Sequence, residues 1–65
     1  MGNEVIAEYD INGRTVEVLA CWDKGTPDTE VDFYDVYVDG ECANEGDPYY
    51  DEPTVSEIED LLETL

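Results

Sequence analysis

The side chains able to do chemistry are nearly all acids. Nineteen Asp and Glu residues stand against Lys24 and Arg14, and histidine is absent. Paired carboxylates can divide acid and base roles when their surroundings separate their pKa values. In a chain this rich in acids, however, close pairs arise without any such purpose. Cys21 and Cys42 are the remaining candidates. A thiol attacks as its thiolate, which needs a cationic neighbour or an adjacent base; Cys21 sits beside Trp22 on an expected strand with neither. No residue is assigned a catalytic role, and the chain is expected not to be an enzyme.

Metal binding is the next chemistry to test, because acids and glycines gather between Asp35 and Gly46. Set against the calcium loop of an EF-hand, Asp35, Asp39 and Gly40 fall at the first, fifth and sixth positions. Tyr37 then occupies the third, and Gly46 stands where the bidentate glutamate is required. Two ligands are lost, so no dedicated metal site and no cofactor is expected.

The elements that must position these side chains are legible as an α+β pattern. Glu4 to Ile11 reads as a strand, Asn12-Gly13 as a two-residue hairpin turn and Arg14 to Trp22 as the returning strand. That turn sets Tyr9 opposite Val16, Ala7 opposite Val18 and Val5 opposite Ala20 on a core face, with Trp22 beyond them. The other face then carries Ile6 opposite Leu19 and Glu8 opposite Glu17. Asp23 to Thr29 reads as a loop and Glu30 to Asp39 as a third strand. Its apolar phase changes midway, which predicts either a bulge near Tyr34 or apolar residues on both faces. With Tyr34, Val36 and Val38 inward, Phe33, Asp35, Tyr37 and Asp39 point outward.

Asp39-Gly40 is a second hairpin-type turn, and a short fourth strand is expected over Glu41 to Asn44. Thr54-Val55-Ser56-Glu57 fits a capping box. Val55, Ile58, Leu61, Leu62 and Leu65 then fall on one helical stripe. The expected fold is a small antiparallel meander of three to four strands, one face covered by a C-terminal helix. Residues 1–65 are expected to form a single acidic domain, since a chain this short buries only about 60% of the surface exposed on unfolding.

Apolar residues make up 42% of the chain, too much for a disordered acidic tail. The formal net charge is -17. All acids after Lys24 lie in a stretch without a single base, so ion pairing within the chain cannot neutralise them. Such charge destabilises a compact state by self-repulsion, and it repels DNA and anionic membranes directly. The start MGNEVIAEYD lacks the basic and apolar regions of a signal peptide, and nothing approaches a span of about 20 apolar residues. A cytosolic location with free thiols is expected. The Met-Gly start does not read as a myristoylation signal, because Ile6 stands where Ser or Thr is wanted.

These features converge on a binding surface. Ile6, Leu19 and either Phe33 or Tyr37 form an apolar centre, with Glu8, Glu17, Asp35 and Asp39 around it, on the sheet face the helix leaves uncovered. Glu41, Glu45, Asp47, Asp51 and Glu52 extend the charge through the stretch DGECANEGDPYYDEP. Tyr49 is expected to add an aromatic contact, while Tyr50 is read as the more structural of the pair. The expected partner is a basic nucleic-acid-binding protein rather than nucleic acid itself, with the oligomeric state open.

In size, charge and strand-helix makeup the chain resembles, as a class, small acidic proteins with which phages and mobile elements block DNA-binding enzymes. Uracil-DNA glycosylase inhibitors, antirestriction proteins and some anti-CRISPR proteins belong to it. The resemblance implies a DNA-mimic inhibitor acting on a glycosylase, restriction or CRISPR effector. Two alternatives stand beside it: an acidic structural or housekeeping domain of a halophile, and an antitoxin-like partner of another basic protein.

Overall fold

A computed structural model describes residues 2–23 and 31–65. They form a four-stranded antiparallel sheet in the order β1-β2-β3-β4 and a single C-terminal helix. The strands are β1 (Gly2–Ile11), β2 (Arg14–Trp22), β3 (Phe33–Val38) and β4 (Glu41–Cys42), and the helix is α1 (Val55–Glu63). The third strand is shorter than the expected Glu30 to Asp39. Glu30 and the expected loop beyond Asp23 lie outside the described residues.

Both hairpin turns use paired left-handed residues. Asn12 and Gly13 have φ of 54° and 77°, and Asp39 and Gly40 have 52° and 86°. This mirror-image turn matches the right-handed twist of the strands it joins, which is why Asn-Gly fixes the register at Ile11 opposite Arg14.

From there the pairs Tyr9–Val16, Glu8–Glu17 and Ala7–Val18 follow the expected register. It then breaks. Val5, not Ile6, lies opposite Leu19, and Glu4 lies opposite Ala20, because an extra residue is inserted between Val5 and Ala7. Ile6 is the inserted residue of a β-bulge, and Val5 moves from the expected core face to the open one. Of the two alternatives expected for the third strand, the bulge near Tyr34 is not the one found: β2 and β3 pair without interruption from Val16–Val38 to Cys21–Phe33. The third strand instead carries apolar residues on both faces.

The helix is held at its start by the capping box. The Glu57 N–H donates to Thr54 Oγ1 and the Thr54 N–H donates to Glu57 Oε1, both at 3.2 Å. Ile58 is driven into a cluster with Val16, Val18, Val36 and Val38, flanked by Leu61 and Leu62. Burying an aliphatic side chain of this kind stabilises by about 1.5–3 kcal/mol. Val55 and Leu65, expected on the same stripe, stay exposed at 43% and 58%. At the far end of the sheet Trp22 lies over Gly2, where an added Cβ would stand 2.7 Å from the indole ring.

The fourth strand stops at Cys42 because a side chain takes over its work. The Val36 N–H donates to Asn44 Oδ1 at 3.0 Å, while Asn44 Nδ2 donates to the carbonyls of Tyr34 and Asp47, both at 3.3 Å. Asn44 is buried, so these bonds satisfy groups that would otherwise cost about 1–3 kcal/mol each. Tyr34 and Tyr49 then exchange backbone bonds of 2.7 and 3.3 Å. The outer edge of β3 is thereby closed by a loop.

Candidate functional site

The face of the sheet opposite α1 is built from the odd-numbered residues of β2 and β3. Cross-strand pairing arranges them in rows: Glu8, Glu17, Tyr37 and Cys42 in one; Val5, Leu19 and Asp35 in the next; Asn3, Cys21 and Phe33 in a third. Toward the turns, Asp10 pairs with Thr15. The Thr15 N–H donates to Asp39 Oδ1 at 3.1 Å, and the Asp39 N–H donates to the Thr15 carbonyl at 2.9 Å. Asp39 is therefore pinned beside Thr15 and extends the acidic end of the face.

Thr15 spends its backbone bonds on the β3 side, so by alternation Glu17 does the same. Glu8–Glu17 is then a non-hydrogen-bonded pair, the kind in which side chains approach more closely. At about 5 Å in water, two such charges repel by about 0.8 kcal/mol. The bulge adds to the apolar centre, since Val5 stands opposite Leu19 with the inserted Ile6 next to it, exposed at 47% and 39%.

Of the residues expected from sequence, Glu8, Glu17, Asp35, Asp39, Leu19, Tyr37 and the bulged Ile6 are gathered on this face. Glu45 joins it at the edge, lining a groove with Phe33, Asp35, Pro48 and Tyr50. Glu41 does not, because it pairs with Val38 and so points to the helix side. Asp47, Asp51 and Glu52 are exposed on the connection leading into the helix.

The two tyrosines exchange roles. Tyr49 packs against the core cluster. Burial, and then the charges of Glu57, Asp47 and Asp60, push its hydroxyl above the usual tyrosine range. Tyr50 is 75% exposed. The dipeptide itself does not distinguish them; the bridge to Tyr34 does.

Two residues of the face escaped the sequence reading, and a third was expected there. Asp10 follows from the hairpin register alone, two residues beyond Glu8. Val5 depends on a bulge that no glycine or proline marks. Phe33 shared the outward phase with Tyr37 and has joined it on the open side.

Cys21 opens onto the same face but is chemically quiet. Its Sγ donates to Asp35 Oδ2 at 3.5 Å. Burial raises its pKa to about 11, helped by the charge and hydrogen bond of Asp35 and by Cys42. The thiolate is thus disfavoured at neutral pH. Among the described residues, no three His, Cys, Asp or Glu side chains are grouped to hold a metal ion. No described helix is long and apolar enough to cross a membrane.

No protein-family model, curated protein or solved structure matches this chain. The class of the protein rests on its own fold and surface: an α+β domain with one sheet face packed on a helix and the other lined by acids around an apolar centre.

Proposed function

We propose that the chain is a DNA-mimic inhibitor. It occupies the nucleic-acid-binding groove of a basic DNA-binding protein in the host cell cytosol, and it performs no catalysis of its own. The observation that carries this reading is the open sheet face. There Asp10, Asp39, Glu8 and Glu17 border the uncovered apolar patch of Val5, Ile6 and Leu19.

Charge alone would not single out that face, since Glu57, Glu59, Asp60 and Glu63 also make the helix exterior negative. The combination does. Acids two apart on a strand lie about 6.6 Å from one another on one side, and neighbouring strands add parallel rows about 4.8 Å away. Lys and Arg side chains that neutralise phosphates meet carboxylates at comparable intervals, while the apolar centre supplies contact that salt does not screen.

The test is capture of partners from host extract near 0.1 M salt, followed by competition with duplex DNA. A captured protein should release its DNA when the chain binds, and affinity should fall steeply as salt rises, through the counterion release that governs DNA binding. A partner that binds chain and DNA together would overturn the proposal. Unfolding of the chain at 0.1 M salt, with folding restored only in concentrated salt, would favour the halophile alternative instead.

A further inference from the structure

We infer that the groove beside β3 receives an arginine side chain of the partner. Its identity as a partner site rests on the DNA-mimic reading; its chemistry rests on the groove. The groove has a volume of about 480 Å³, and its lining includes Phe33, Pro48 and Tyr50 together with Asp35, Glu45 and Gly46. Aromatic walls and two acids in one concavity match a flat cation. A guanidinium stacks on aromatic faces, sheds water more readily than an ammonium, and presents paired donors to a carboxylate.

Competing occupants fit less well. An apolar side chain would press Asp35 and Glu45 out of water with no cation to pair them and only the Cys21 thiol bonded to Asp35. A second copy of the chain would add another net charge of -17 to this surface. The groove is also held in shape from beneath. Asn44, which lines it, ties Tyr34, Val36 and Asp47 together, so the site is formed before a ligand arrives. Tyr50, at 75% exposure, stands free to close over a bound side chain.

The test is an NMR titration of the full chain at 0.1 M salt with N-acetyl-arginine amide, N-acetyl-lysine amide and uncharged N-acetyl-norleucine amide. Arginine amide should give saturable shifts confined to the Phe33 and Tyr50 rings and the Gly46 amide, with lysine amide weaker. Tyr50→Ala should weaken arginine binding about threefold to tenfold and Tyr50→Phe should restore it, because the ring face carries the attraction. Equal responses to norleucine amide, or non-saturating shifts spread over all the carboxylates, overturn the inference. Equal responses to lysine overturn the choice of guanidinium. No nucleic-acid-binding protein is present, so the groove can fail while competition with DNA succeeds, and the reverse.

Discussion

The second strand shows both characters of this molecule at once. Its even residues Val16, Val18 and Ala20 are at most 1% exposed under the helix, while the odd residues Glu17 and Leu19 between them remain partly open. One face is settled by packing, with each side chain matched to a neighbour. The other sets glutamate against glutamate and leaves aliphatic groups in water. The same backbone supports both: the inner face holds the fold, and the outer one is the surface proposed to meet a partner.

The largest contrast is expected from truncating one residue on each side of the sheet. Ile58→Ala empties the centre of the core and should cost about 2–5 kcal/mol, enough to unfold most of a domain whose total stability is of order 5 kcal/mol. Leu19→Ala removes a similar volume from the open face and should change the denaturation midpoint little, while weakening partner binding. Equal losses of stability from the two would mean that the open face is a second core.

An intermediate effect is expected at alkaline pH, where the open face meets the interior at Cys21. Its folded pKa, raised to about 11 from an ordinary 9.0, means that the native state holds this proton more tightly than the unfolded chain. Stability from this group is complete below pH 9 and is lost as pH rises toward 11, by about 1–2 kcal/mol after screening by solvent. Tyr49, shifted in the same direction, adds to the decline at still higher pH. Denaturation midpoints of wild type and Cys21→Ala, compared across that range, isolate the thiol: the variant should lose less stability with rising pH. Identical pH slopes would show that the thiol does not feel its surroundings.

These contrasts also explain what the sequence could and could not reveal. Asn12-Gly13 and the Thr54-to-Glu57 box are local devices, each satisfied by its own few residues, so the first hairpin and the helix start were legible. The alternation of Val16 and Val18 with Glu17 identified the two faces of β2. The bulge at Ile6 was not legible, because the stretch Glu4 to Ala7 alternates poorly and the choice is made by pairing with β2. Nor was the end of β4, where the Asn44 amide replaces backbone; a buried asparagine and a loop asparagine look alike until the edge of β3 is in place. The split between Tyr49 and Tyr50 has the same origin. Thus residues whose partners lie nearby in the chain were read well, and the candidate face shifted by one strand end, gaining Val5 while losing Glu41 and Tyr49 to the helix side.

The smallest effect is also the sharpest test of the difference between faces. Replacing Glu17 by glutamine keeps the shape of the side chain and removes its charge from the pair with Glu8. Relief of that repulsion should raise stability by about 0.5–0.8 kcal/mol at low salt, with the gain shrinking as salt is added. The same exchange should weaken capture of a basic partner and make its salt dependence shallower, since one counterion-releasing contact is gone. Stability and binding should therefore move in opposite directions. A Glu17→Gln protein that is less stable than wild type would mean that Glu17 serves the fold, and the open face would lose its claim to be shaped by a partner.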